Sequence, residues 1–292
     1  MRTALFVPGN RPDRINKAIA TAADAVIIDL EDSVSLSRKE ETRELVRNKL
    51  SEFRGHERNL IVRVNSLESG LLEDDLNTVV ADNLTSILVP KMEGPEQVLE
   101  INSYLLKAEK GNRIVEGRIS LMLLIESAKG VQKVFEILST TTTPRRFTTA
   151  AFGAADFSLD LGIEITKEGY ELDYPRSRIP VACRAAGIPP PLDTPFMIDL
   201  KDLDALQTDA IRAKHLGFQG KLCIHPNQIK ICNDVFSPSE KQILEAKNVI
   251  RAFAEAEAKG VSAIQFKGKL IDAPFVELAK RILRLATVSR ES

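Results

Sequence analysis

The chain has 292 residues, 43% hydrophobic and 28% charged, enough apolar material to bury a sizeable core. Its 40 basic and 41 acidic residues leave a net charge of −1. That balance argues against nucleic acid or a membrane surface as partner and tolerates self-association. Cys183, Cys223 and Cys232 are sparse and lack CxxC spacing, so they are expected to be packing residues in a reducing compartment rather than a disulfide frame or a zinc site. The N-terminal apolar stretch is too short for a secretory signal, and no later run approaches the ~18 apolar residues of a membrane span. A cytoplasmic protein is the expectation, and a mitochondrial protein stripped of its transit peptide would look the same.

Taken in chain order, short β-branched apolar runs alternate with amphipathic stretches. The runs are Thr3–Val7, Ala25–Asp29, Leu60–Val64, Ser86–Val89, Ile119–Ile125, Thr148–Phe152 and Lys221–Ile224. Continuous apolar runs of this length suit parallel strands buried on both faces. Helices are expected at Arg11–Ala23, Arg38–Phe53, Pro95–Lys110, Lys129–Leu138, Arg176–Ala186 and Leu203–Leu216. Ile188–Asp193 is the candidate for a seventh strand between the last two, although three prolines are unfavourable in a central strand. With it the count reaches eight, and the expected fold is an α/β (β/α)8 TIM barrel. The length is slightly above the ~250 residues typical of that fold. An open, doubly wound sheet is the rival.

After Ile224 the character changes. Ser237–Glu240 reads as a helix start, and an Ala/Glu/Lys-rich helix is expected to about Lys259. A glycine-punctuated stretch, Gly260–Asp272, follows, and Pro274 opens a last helix. The expected organisation is a barrel over 1–236 and a helical extension with a lid loop over 237–292.

In a β/α barrel the working residues follow the strands. Here the strand ends carry Pro8–Arg11, Asp29–Asp32, Arg63 and Asn65, Lys91, Glu126, Gly153–Asp156, Asp193 and His225. Charges gathered at one rim are costly unless paired or metal-bound. Glu126 and Asp156 end neighbouring strands and form the candidate metal pair. Two carboxylates plus waters suit Mg2+, and three histidines without a cysteine cluster do not suit zinc. Arg63, set among β-branched residues, fits a planar fork for a substrate carboxylate, with a structural salt bridge to Asp29 or Glu31 as the alternative. Asp29, Glu31 and Asp32 either orient metal-bound waters or brace the rim. Small residues through Ala155 let a ligand approach the backbone. Arg11 and Lys17 form a candidate phosphate site or a solvated helix face. His225 either touches ligand or is a hydrogen-bonded structural residue.

The segments LFVPGNRP (Leu5–Pro12), VIIDLEDSV (Val26–Val34), VRVNS (Val62–Ser66), VPK (Val89–Lys91), LIES (Leu124–Ser127), FGAADFSLDLG (Phe152–Gly162), GFQGKLCIHPNQI (Gly217–Ile229) and GKLIDAP (Gly268–Pro274) follow one another along nearly the whole chain. The ordered set resembles the citrate lyase β-subunit-like group of the HpcH/HpaI aldolase superfamily, which includes malyl-CoA and citramalyl-CoA lyases. The resemblance implies a Mg2+-dependent barrel, assembled as a homo-oligomer, a trimer or hexamer. It implies Glu126 and Asp156 as metal ligands and Arg63 on the acyl or keto-acid carboxylate. Phe6, Arg11 and Lys17 fall beside a CoA thioester, with Ala155, Ile224 and His225 on the substrate. It also implies Asp272 as a catalytic aspartate that a lid supplies to a neighbouring subunit; alone, Asp272 reads as a loop residue and helix N-cap. His225 in the IHP segment looks more like the stand-alone CoA-ester lyases than subunits of a larger complex. Lys267–Gly268 departs from the Asp-Gly of many relatives and puts lid contacts in question.

The implied reaction is a reversible Claisen-type cleavage of a 3-hydroxyacyl-CoA into an acyl-CoA and a 2-oxo acid. Alternatives are a metal aldolase acting on free 2-oxo acids and a lyase subunit serving an acyl carrier protein.

Overall fold

The computed structural model describes residues 1–53, 55, 59–258 and 260–291, with 287–291 described by backbone alone. The chain divides into two compact units, Met1–Asn233 and Asp234–Ser292. The division falls inside the helix Asn227–Phe236, three residues before the expected boundary at 236.

The first unit is a closed parallel barrel. Its strands are β1 (Thr3–Pro8), β2 (Ala25–Asp29), β3 (Asn59–Arg63), β4 (Ser86–Val89), β5 (Ser120–Ile125), β6 (Phe147–Phe152), β7 (Leu192–Asp193) and β8 (Gly220–Cys223). Pairing of Thr3, Ala4 and Leu5 with Lys221, Leu222 and Cys223 closes β8 onto β1 and removes the open-sheet rival.

β7 is the irregular member, only two residues long. Pro189–Pro191 just before it cannot donate to a ladder. Their carbonyls accept instead, from Thr149 Oγ1 (3.2 Å to Pro189 and 2.7 Å to Pro190) and from the Gln219 amide (3.0 Å to Pro191). The prolines thus sit beside the barrel, and the ladder resumes at Leu192.

Successive side chains of a strand point to opposite faces. In this barrel that alternation sorts function from structure. Ala4, Ala25, Ile27, Ile61, Leu88, Met122, Leu124, Ala151, Leu192 and Leu222 form one buried cluster inside the barrel. Each large member contributes roughly 1.5–3 kcal/mol by leaving water. The opposite parity, such as Val26, Ile28, Val62 and Leu123, is equally buried, because helices cover the outside. Helices were expected around most strands, and the structure adds Leu72–Val79 and Ala154–Leu161. Both are only eight residues long, too short for a clear period of 3.6. The stretch expected as one helix over 129–138 is two, Ala128–Gln132 and Val134–Ser139.

Alternation also corrects Asp193. It was expected at the working rim, but it has the parity opposite to Leu192 and points into the helix layer. There Asp193, fully buried, takes both Arg176 Nε (3.0 Å) and Nη2 (2.9 Å). Lys221 Nζ lies 2.5 Å from Asp193 and 2.6 Å from Asp209. Two cations and two anions therefore tie β7 and β8 to the helices Asp173–Ala185 and Leu203–Leu216. The residue that β7 sends to the rim is Thr194.

The second unit pairs the helices Glu240–Glu257 and Ala273–Glu291 around a small core of Ala246, Val249, Phe253, Ile271, Val276 and Ala279. Ser239 caps the first helix with a capping box to Gln242. Lys259, the expected end of that helix, lies outside the described residues. A two-stranded hairpin, β9 (Ile264–Phe266) and β10 (Lys269–Ile271), joins the helices. Its turn is Lys267–Gly268, with φ of +48° and +78°. Two positive φ angles define the turn that matches strand twist, and a lysine bears that conformation less readily than Asn, Asp or Gly. None of the described helices is long and apolar enough to cross a membrane.

Candidate active site

Moving two residues along seven of the interior files leads from the apolar core to Phe6, Asp29, Arg63, Glu126, Gly153, Thr194 and Ile224. All seven line one cavity of about 470 Å3 at the C-terminal end of the barrel. Leu124 and Leu222 form its floor, and Ala154, Ala155, Asp156, Pro195 and Met197 add to its wall.

Glu126 follows β5 and is buried. Its Oε1 accepts the Lys91 amide at 2.8 Å. Burial, then the neighbouring Asp156 and Glu31, push its carboxyl up to about 8, against the opposing pull of the Lys91 amide and Arg63. Asp156 stands in the first turn of Ala154–Leu161, where the helix N-terminus favours a carboxylate. Thr194 Oγ1 accepts the Ala154 amide at 3.1 Å and fixes that helix end. Against Glu126 sits Gly153, where a Cβ would lie 2.6 Å from Glu126 Oε2. A glycine is therefore required for Glu126 to reach its position.

These residues fit a hard divalent cation. The lining holds four carboxylates (Asp29, Asp32, Glu126, Asp156) and two guanidiniums (Arg14, Arg63). Fully ionised, four minus two leaves an excess of two negative charges. Among the described residues no group of three or more His, Cys, Asp or Glu converges on one point, so the cation would keep several waters, as Mg2+ does.

Arg63 is braced on every side. Its Nε and Nη2 donate to the two oxygens of Asp29 at 2.6 and 2.8 Å, and its Nη1 donates to Asp32 at 3.0 Å. Glu31 Oε2 lies 3.0 Å from Nη1 but outside hydrogen-bonding geometry. The guanidinium also stands 5.1 Å over the Phe6 ring. The structural alternative, a salt bridge to Asp29 or Glu31, is thus present with both. Three of the five N–H groups are used, which leaves two for a ligand.

Asp29 also accepts the amides of Glu31 (2.9 Å) and Ser33 (3.0 Å). Burial works to raise its carboxyl, but Arg63 and these donors hold it below the usual carboxylate range. Burial raises Glu31, despite Arg63 and Lys91 nearby. Buried Lys39 secures the same loop by donating to the carbonyls of Leu30 (2.6 Å) and Glu31 (2.7 Å) and to Asn65 Oδ1 (2.6 Å).

The structure brings together Phe6, Asp29, Arg63, Glu126, Ala155, Asp156 and Ile224, with Glu31 directly behind them. It leaves three expected ligand contacts outside the lining. Arg11 closes on Asp13 with two 3.0 Å hydrogen bonds. Lys17 is exposed further along the same helix. His225 is exposed and turned to Asn227, with Nδ1 2.6 Å from Oδ1. The cation on that helix that does line the cavity is Arg14, which has no ion-pair partner among the described residues. Its signal was the phase of the helix Pro12–Ile19: Ile15, Ala18 and Ile19 are buried, and Arg14 flanks that face. Pro195 and Met197 follow β7, whose register behind three prolines sequence alone does not fix. Asp272 belongs to the second unit, just before the helix Ala273–Glu291. Its carbonyl accepts the Val276 amide at 3.2 Å, and its Oδ1 is shielded without a hydrogen bond among the described residues.

Residues 2–226 match the HpcH/HpaI aldolase/citrate lyase family, and residues 184–289 match a family described as C-C bond lyase of the TIM-barrel fold. The chain is similar to citrate lyase subunit beta of Leuconostoc mesenteroides subsp. cremoris, 36% identical over 99% of this chain and 94% of that protein. It is similar to the mitochondrial citramalyl-CoA lyase of Mus musculus, 32% identical over 99% of this chain and 87% of that protein. Among solved structures it resembles CitE from Mycobacterium tuberculosis in complex with magnesium, acetoacetate and coenzyme A. That match has a TM-score of 0.77 and 28% identity and covers 98% of each chain.

Proposed function

The chain belongs to the HpcH/HpaI aldolase/citrate lyase family, and we propose that it is a Mg2+-dependent carbon–carbon lyase acting on a 3-hydroxyacyl-CoA thioester. Cleavage gives an acyl-CoA and a 2-oxo acid, and the reverse reaction joins them. The observation that carries this reading is Glu126, cleared by Gly153, and Asp156, set with Arg63 in a cavity whose carboxylates, once ionised, outnumber its guanidiniums by two.

Glu126 and Asp156 would hold the cation, which supplies a Lewis acid that acidifies the substrate hydroxyl. Arg63, immobilised by Asp29, offers its two remaining N–H groups to the substrate carboxylate and aligns the scissile bond. The apolar wall of Phe6, Pro195, Met197 and Ile224 keeps water from the thioester and strengthens these interactions. Arg14 meets a phosphate of the CoA moiety at the mouth. The hydroxyl gives up one proton as the carbon–carbon bond breaks and the new α-carbanion of the thioester gains one, and Asp272, presented by a neighbouring subunit, is the proposed carrier between them and the base in the reverse direction.

The test is a panel of malyl-CoA, β-methylmalyl-CoA, citramalyl-CoA and citryl-CoA, each with Mg2+ or EDTA, on wild type and Asp156→Ala. Mg2+-dependent release of a 2-oxo acid that the substitution abolishes supports the reading and names the substrate. Cleavage of a free hydroxy-oxo acid with no turnover of any thioester replaces it with a metal aldolase.

A further inference from the structure

Lys91 touches both halves of the site without lining the cavity. It follows β4 with φ +55°, a left-handed backbone that non-glycine residues rarely adopt. That turn points its amide at Glu126 Oε1, 2.8 Å away. Its ammonium reaches Glu31 Oε1 at 2.9 Å, and the other oxygen of Glu31 lies 3.0 Å from Arg63 Nη1. Met92, the next residue, is buried, so the chain cannot swing out freely. A glycine would take this conformation without strain. Strained backbone gathers where the surrounding structure over-determines it, often at functional sites.

We propose that Lys91 is a positioning residue that couples the cation site to the carboxylate site, its backbone aiming Glu126 and its side chain holding Glu31 against Arg63. The inference rests on the reading of Glu126 and Asp156 as cation ligands. The two contributions are separable. Backbone geometry sets affinity for the cation. The Nζ–Glu31–Arg63 chain sets the grip on the carboxylate of a 2-oxo acid.

The probes are Mn2+, followed by its electron paramagnetic resonance signal, and pyruvate binding at saturating Mn2+, with the melting temperature of each variant as a fold check. Lys91→Gly is expected to bind Mn2+ within about twofold of wild type, because glycine keeps the left-handed turn, and to bind pyruvate roughly tenfold more weakly. Lys91→Arg restores pyruvate binding to within about threefold, because it returns the cation beside Glu31. Lys91→Val, β-branched and ill suited to positive φ, weakens Mn2+ by about tenfold. The inference is overturned if the folded valine variant binds Mn2+ like wild type, or if the glycine variant binds pyruvate like wild type. The pyruvate comparison does not depend on the valine variant folding. Failure of wild type itself to bind Mn2+ would remove the cation-site reading and this inference with it, a result distinct from a wild-type-like Lys91→Val.

Discussion

Replacing Gly153 by alanine puts a methyl group where Glu126 now sits. The added Cβ would lie 2.6 Å from Glu126 Oε2 and 2.8 Å from Glu126 Cβ, closer than such atoms approach. The φ of Gly153 is −107°, a value alanine takes without strain, so the penalty is one of contact alone. Glu126 cannot retreat easily, because Lys91 holds one oxygen and the residues around it are packed. Overpacking of this kind costs ~1–3 kcal/mol. If Glu126 swings aside instead, that cost appears as lost cation affinity, roughly five- to 150-fold at 1.4 kcal/mol per decade. Calorimetric titration of Mg2+ into both proteins, with thermal melts alongside, measures how the cost is shared. Mg2+ affinity within twofold of wild type together with an unchanged melt would refute the reasoning, since the methyl group would then have displaced nothing.

Three further outcomes follow from the same geometry. Metal-free Glu126 holds its proton to about pH 8, from burial first and then Asp156 and Glu31, whereas an unfolded chain releases it near 4.5. The metal-free protein should therefore lose stability as pH rises from about 4.5 to 8, while Mg2+ binding should strengthen over that range and expel a proton. Calorimetry at pH 7 in buffers of different ionisation enthalpy checks this, and no proton release would contradict it. Arg14→Ala should raise KM for the CoA thioester about tenfold with kcat little changed, as expected for loss of one charge-assisted contact. Arg11→Ala, already satisfied by Asp13, should stay near wild type; equal effects would mean that the cavity lining does not define the thioester path. Lys221→Met leaves Asp193 and Asp209 with Arg176 alone and should destabilise the barrel by ~3–5 kcal/mol in a denaturant titration.

Much of this arrangement was legible because a parallel strand buried on both faces leaves a plain mark, an unbroken β-branched run. The charge that ends such a run marks the rim, and Asp29, Arg63 and Glu126 followed directly. Asp193 did not, since a two-residue strand behind three prolines gives no register, and a slip of one residue moves a side chain to the other face. Arg11, Lys17 and His225 were placed on the ligand by the resemblance, and none of them lines the cavity of this chain. Arg11 and His225 instead meet the local partners Asp13 and Asn227, a competition that only coordinates reveal. The positive φ of Lys91 was likewise hidden, because lysine is not a residue that advertises a left-handed turn.

The apolar cluster from Ala4 to Leu222 makes the barrel a blind well. The barrel axis therefore offers no exit below the site. On the proposed reading, a substrate cut in two beside Glu126 and Asp156 would leave its small fragment at the bottom and its long one in the mouth, so the long fragment would depart first. The small acid would then dissociate last, and when added as a product it should bind the free protein. Order of release is thus a property of the stopper below the site, which is built from residues that take no part in the chemistry.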